Sequence, residues 1–240
     1  FEKKKDFVLP HYKMPGQLIR HQAYTLYYSD TYKQAVFVAY QLTAQETQGS
    51  ADRKDDRFMP DPKVETTKVI PADYSGSGYD RGHLAPAADF KSSDELMQES
   101  FYMSNMSPQA PDLNRGIWRI LEEQVRTWAK KDRAIYVLSG PELKPGLPTI
   151  GKRNKIPVPQ RYFKIILYLQ NPKPKAIAFI MPNRGSEESI TKFATTIDAV
   201  EKMTGLDFFP ALPDVMENDL ESKINLNDWT WQKPRKMRNN

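Results

Sequence analysis

The chain has 240 residues, no cysteine, 19 prolines and a formal net charge of +5, with a pI near 9.1. A chain of this length can bury about three quarters of its unfolded surface, so it needs no cross-link. The missing cysteine excludes a disulfide scaffold, thiolate-bound zinc and a thiol nucleophile. The longest apolar runs, such as Ile165-Ile166-Leu167, are far too short to cross a bilayer, so no membrane partner is expected, and the modest basic excess favours encounter with a polyanion.

No stretch reads as a linker, so residues 1–240 are expected to form one domain, with 1–20 as a loosely packed arm and 232–240 as a basic tail. The abrupt start at Phe1-Glu2-Lys3-Lys4-Lys5 fits removal of an upstream segment. Tyr24–Tyr28 and Ala35–Leu42 read as a hairpin around Ser29-Asp30-Thr31, the second strand apolar enough to be buried on both faces. Residues 45–63 form a long polar loop, and 64–79 continue as irregular chain. A short helix through Asp94–Ser100 is capped by Ser92 or Ser93, with Ser92-x-x-Glu95 as a capping box. The strongest helix runs from about Asn114 to Lys130, where Ile117, Leu121, Val125 and Trp128 make an apolar stripe and Arg115, Arg119, Glu122 and Arg126 another face. Strands follow at Ala134–Gly140, Tyr162–Leu169 and Ala176–Met181. The region 144–159 reads as loop. A second helix is expected over Ser189–Met203, with Gly205 as its stop, and a short acidic helical piece after Pro210. Neighbouring strand pairs interrupted by helices imply an α+β fold with a mainly antiparallel sheet.

The segment Tyr79-Asp80-Arg81-Gly82-His83-Leu84-Ala85-Pro86 concentrates reactive side chains. Glycines before it and Pro86 after it predict a turn-rich loop. His83 titrates near neutrality in its unperturbed form and suits a general base. His11 and His21 lie in the arm without evident polar company. With no second histidine at ligand spacing, zinc is not expected. Asn114 is either a helix N-cap or, through its amide oxygen, a ligand for a hard cation. Glu122 is either the partner of Arg126 one turn on or a site carboxylate. Arg53 and Arg57, in the polar loop, are either solvated charge or phosphate contacts, for which arginine is suited.

Asp80-Arg81-Gly82-His83, Ser104-Asn105-x-x-Pro108-Gln109, Leu113-Asn114-x-Gly116 and Trp118-x-x-x-Glu122 together resemble the DNA/RNA non-specific endonuclease family, which includes mitochondrial endonuclease G. Phe58-x-x-Asp61-Pro62, Thr204-Gly205-Leu206 and Ala211-Leu212-Pro213 extend the likeness over most of the chain. The resemblance implies a ββα-metal active-site motif and a sugar-non-specific endonuclease acting on DNA and RNA. It implies His83 as general base, Asn114 as direct ligand of one Mg2+ (or Mn2+), and Glu122 holding that ion through water. Arg81 and Arg126 would surround the phosphate, with Asp80, Asn105 and Gln109 as supports, and Arg53 or Arg57 would stabilise the transition state. Secretion or periplasmic export is expected on the same ground, and a homodimer and an inhibitor protein are open as partners. Two rivals remain. One is a carboxylate-metal nuclease built on Pro213-Asp214 and Glu221-x-Lys223; the other is a non-catalytic polyanion-binding module, which would need the basic residues but not His83.

Overall fold

The computed structural model describes residues 6–52, 57–170 and 173–232. Strands β1 (Gln17–Arg20), β2 (Thr25–Ser29) and β3 (Gln34–Thr43) come first. They are followed by β4 (Asp80–His83), helix α1 (Asp94–Glu99) and β5 (Met106–Gln109). A wide turn over Leu113–Ile117, broken at Gly116, leads into α2 (Trp118–Asp132). Next come β6 (Ala134–Pro141), the short pair β7 (Thr149–Ile150) and β8 (Ile156–Pro157), then β9 (Arg161–Tyr168) and β10 (Lys175–Pro182). The described chain closes with β11 (Ala194–Thr195), α3 (Ile197–Thr204) and α4 (Asp214–Glu221). Seven strands form one sheet in the order β1-β2-β3-β6-β9-β10-β11, with antiparallel pairing throughout. The expected α+β class with a mainly antiparallel sheet therefore holds.

Both faces of this sheet are covered, which explains why its central strands read as continuous apolar runs. Alternation along β9 sends Tyr162 and Ile166 to one side and Phe163, Ile165 and Leu167 to the other. On the first side lies α2, whose Trp118, Leu121, Val125 and Trp128 are buried. At roughly 1.5–3 kcal/mol per large side chain, this stripe anchors the helix more firmly than its intrinsic propensity could. On the second side lie α3 and α4, through Ile197, Val200 and Leu220. No described helix is long and apolar enough to cross a membrane.

Several local expectations change. The stretch 1–20 is not simply a loose arm, because β1 pairs with β2 along Gln17–Arg20 and Val8 is buried. Ser93, not Ser92, caps α1, accepting from the Leu96 amide at 3.3 Å. The region 144–159 contains the β7–β8 pair. The helix expected over 189–203 is split: a 3-10 turn at Ile190–Phe193 and β11 precede α3, which Thr196 caps. Gly205 does end that helix, at φ +72°, in the left-handed region glycine tolerates. His21 has polar company after all, since its Nε2 lies 2.8 Å from Asp61 Oδ2. The basic tail from residue 233 onward lies outside the described residues.

Candidate active site

The segment Asp80–His83 is a strand, not a loop. It pairs antiparallel with β5 in the register Asp80↔Gln109, Arg81↔Pro108, Gly82↔Ser107 and His83↔Met106. The turn signals around it mark its ends instead. Together with the helix that follows β5, this two-stranded unit is the ββα arrangement expected from the sequence. It packs on the α2 side of the main sheet, with Ser107 Oγ bonded to Gln34 and Tyr162.

Period-two alternation puts Arg81 and His83 on one face. Phe58 covers both: the Arg81 guanidinium sits 5.0 Å from its ring centroid, and the His83 ring 5.7 Å away. Phe101 meets His83 edge-on at 5.1 Å. Arg81 also donates from Nη2 to the Pro71 carbonyl at 3.0 Å. On the other face, Gly82 faces the Gln109 side chain so closely that a Cβ there would collide with Cγ, Cδ and Oε1. The chain leaving His83 is clamped by buried Asn105. Its Nδ2 donates to the Ala85 and Ser100 carbonyls, both at 2.8 Å, and its Oδ1 accepts from the Ala85 amide at 2.9 Å.

Asn114 is not the N-cap of α2. It sits in the wide turn before that helix, where Nδ2 donates to Asp80 Oδ2 at 2.9 Å. Arg115 grips the same carboxylate with a fork, Nε at 2.8 Å and Nη2 at 2.7 Å. Burial pushes the Asp80 carboxyl up, but Arg115, Asn114 and Arg81 outweigh that and hold it below the usual carboxylate range. An ionised Asp80 fixes the Asn114 amide with its nitrogen turned inward, which leaves the amide oxygen available.

Glu122 lies two turns along. Burial pushes its carboxyl up to about 7, against the opposing pull of Lys164 and Arg126, while Asp89 adds to the rise. The expected Glu122–Arg126 pairing is thus an electrostatic neighbourhood, and the direct ion pair of Arg126 is elsewhere: Nη1 donates to Asp89 Oδ1 at 2.8 Å. Asp89 in turn accepts from the Tyr40 hydroxyl at 2.7 Å.

Arg81, His83, Asn114, Glu122 and Arg126 line one cleft of about 720 Å3, together with Asp80, Arg115, Arg119 and the rim aromatics Phe58, Tyr74 and Tyr79. Asn105 and Gln109 stand behind this wall, fully buried. Arg57 is exposed and does not line the cleft; Arg53 lies outside the described residues. The carboxylate-metal rival fails on geometry, because Asp214 and Glu221 sit on α4, across the main sheet from the cleft, and Lys223 pairs with Asp219 at 2.6 Å.

Sequence reasoning missed Lys164. It is 1% exposed, donates from Nζ to the Leu84 carbonyl at 3.3 Å and lies 4.8 Å from the Trp118 ring centroid. Burial lowers its pKa, and the Glu122 and Asp89 carboxylates oppose that. The signal was a single lysine inside an otherwise apolar strand. Arg115 and Arg119 were also passed over as ordinary helix-surface charge.

A family model described as DNA/RNA non-specific endonuclease matches residues 4–215. The zebrafish (Danio rerio) protein named Nuclease EXOG, mitochondrial, is 35% identical over 231 residues, covering 89% of this chain and 67% of the relative. Human (Homo sapiens) Endonuclease G, mitochondrial, is 34% identical over 217 residues, covering 84% and 73%. Nuclease C1 of Cunninghamella echinulata var. echinulata is 35% identical over 209 residues, covering 81% and 83%. A solved structure titled as the EndoG/EndoGI complex, with the mechanism of EndoG inhibition, superimposes with a TM-score of 0.80 at 28% identity, covering 88% of this chain and 91% of that one.

Proposed function

Since the chain belongs to the DNA/RNA non-specific endonuclease family and is an endonuclease, we propose that it hydrolyses phosphodiester bonds of both DNA and RNA, with His83 as general base and Asn114 as direct ligand of one Mg2+. The observation that carries this reading is the shared cleft: the His83 ring, the Asn114 amide and the Glu122 carboxylate line one solvent-filled groove edged by Arg81, Arg115, Arg119 and Arg126. Such a groove suits a polyanionic backbone. A grip on phosphate, which DNA and RNA share, reads no base sequence.

The donor set fits a hard cation. Asn114 offers an amide oxygen and Glu122 a carboxylate, with no soft ligand among them. Asn114 would hold the ion directly and Glu122 through water, with Mn2+ as the alternative. When bound, the cation supplies Lewis acidity to the phosphoryl oxygen and the leaving alkoxide. The rest falls to the chain. His83 takes the proton of the attacking water. The Arg115–Asp80–Asn114 bonds fix the amide oxygen in place. Arg81 and Arg126 neutralise charge that grows on phosphorus-bound oxygen, and Asp89 and Tyr40 hold Arg126 in register. Arg53 is retained as the transition-state arginine, with Arg57 second. Inhibition by a protein partner is proposed here because a structural neighbour is an inhibited complex.

A nicking assay on supercoiled plasmid and a matched RNA substrate, with and without EDTA, tests the proposal. The unmodified chain should cleave both substrates. EDTA, His83→Ala and Asn114→Ala should each remove at least about a hundredfold of the rate, the scale of lost general-base catalysis. Asn114→Ala should weaken Mg2+ binding while leaving the fold intact. Unchanged cleavage by His83→Ala would sink the mechanism, and retained nucleic-acid binding without any cleavage would favour the binding-module reading.

A further inference from the structure

Across the main sheet from the cleft, α3 and α4 bring three carboxylates together. Asp198 and Glu201 stand one turn apart on α3, and Glu221 ends α4. One ligand oxygen from each lies within 4.8 Å of the other two. Acidic side chains often cluster without consequence, but Glu221 is not free to be solvated: it is 7% exposed, and its Oε1 is sealed from water with no hydrogen-bond partner. A buried carboxylate oxygen with no donor is costly to keep. The surroundings make it worse. Burial and then the neighbouring carboxylates Glu201, Glu217, Asp198 and Asp207 push its carboxyl up to about 8. Burial and neighbouring acids raise Glu201 and Glu217 as well. Lys223, just beyond the end of α4, is engaged with Asp219. His11 Nδ1 lies 4.0 Å from the carboxylate of the exposed Asp207.

We propose that Asp198, Glu201 and Glu221 form a structural site for a divalent cation of the calcium class, which ties α4 to α3. The ligands are all hard oxygens. Three carboxylates with oxygens within 4.8 Å of one another suit calcium, which takes many oxygen ligands in flexible geometry, better than magnesium, which is usually held by one or two carboxylates and keeps several waters. One oxygen of Glu201 is already fixed, accepting from the Phe208 amide at 2.7 Å, which orients the other. Asp198 is exposed and gives the ion a way in. The ion supplies the positive partner that Glu221 lacks and adds a bond between α3 and α4. It has no part in the cleft, which lies on the opposite face of the sheet.

The test is thermal unfolding and calorimetric titration of the full chain with CaCl2, beside Glu221→Gln, Asp198→Asn and Asn114→Ala. At a hundredfold excess over Kd, calcium should raise the Tm of the unmodified chain by about 5–10 °C. Asn114→Ala should keep that rise, because it alters only the cleft. Glu221→Gln and Asp198→Asn should lose it, together with the calorimetric heat. Glu221→Gln should unfold at or above the metal-free Tm of the unmodified chain, since it removes the repelled charge. If that variant fails to fold, Asp198→Asn at the exposed rim decides alone. The proposal is overturned if calcium up to about 10 mM, beyond the weakest class of calcium module, leaves the Tm of the unmodified chain unmoved. It is equally overturned if the rise survives in Asp198→Asn.

Discussion

Gly82 sits between Arg81 and His83, and the reason for a glycine there is the Gln109 side chain. A Cβ on Gly82 would fall within 3.0 Å of Gln109 Cγ, Cδ and Oε1, a separation real Cβ atoms essentially never show. Gln109 is fully buried and its backbone is paired to Asp80 in the β4–β5 ladder, so it cannot swing into solvent. Gly82→Ala therefore overpacks a closed space, at a cost of about 1–3 kcal/mol. For a chain of this size that corresponds to a Tm lower by about 2–12 °C. The displaced strand also carries His83, so kcat should fall with it. A double-mutant cycle isolates the cause. Gln109→Ala removes all three offending atoms and sacrifices no hydrogen bond, because Gln109 Nε2 and Oε1 have no partners. In the Gln109→Ala background, the penalty of Gly82→Ala should shrink by about 0.5–3 kcal/mol, the coupling expected of residues in contact. Urea unfolding of the four proteins measures it. An undiminished penalty in that background would refute the steric account and point to a conformational need for glycine.

Two further predictions concern the charges under the cleft. Because burial raises the Glu122 carboxyl from 4.5 to about 7, the folded state binds its proton more tightly than the unfolded chain does. Its contribution therefore weakens stability as pH rises from about 4.5 to 7, with the full penalty above that window and none below it. In metal-free buffer Glu122→Gln should be free of this decline, so its stability relative to the unmodified chain should increase from pH 5 to pH 8; a constant difference across that range would contradict the assignment. Lys164→Met removes the largest of the charges that favour the ionised form of Glu122. The Leu84 carbonyl keeps its Ser139 hydroxyl at 2.6 Å, so no backbone group is stranded. The acidic limb of the kcat/KM profile should then move to higher pH, whereas a purely structural lysine would lower the rate without moving the limb.

Much of the site was legible only through the family resemblance carried by Asp80-Arg81-Gly82-His83, Asn114 and Glu122. Spacing alone left Asn114 open as a helix cap and Glu122 as an ion-pair partner, and the fold brings all of them to one cleft. Where reading failed, long-range partners had overridden local signals. Glycines on one side of Asp80 and proline on the other suggested a loop, yet a strand forms because β5, more than twenty residues later, supplies its hydrogen bonds. The apolar phase of Ile190, Phe193, Ile197 and Val200 suggested one helix, yet β10 takes Ala194 and Thr195 as an edge strand and splits it.

The buried charges show the same limit more sharply. Arg126 looked like the four-residue partner of Glu122, but the structure gives it Asp89, from a segment 37 positions away. Lys164 looked like an interruption in an apolar strand. Its register opposite Ser139 on β6 and the alternation of β9 turn it toward α2, the side where Glu122 waits. A lysine at that position is costly to bury unless a carboxylate shares its surroundings, and a carboxylate in Glu122's position is equally costly without a cation. Each residue taken alone argues against burial. Only the fold, by closing the central strand against the helix, makes the two charges tolerable together and keeps a carboxylate with a near-neutral pKa at the wall of the cleft.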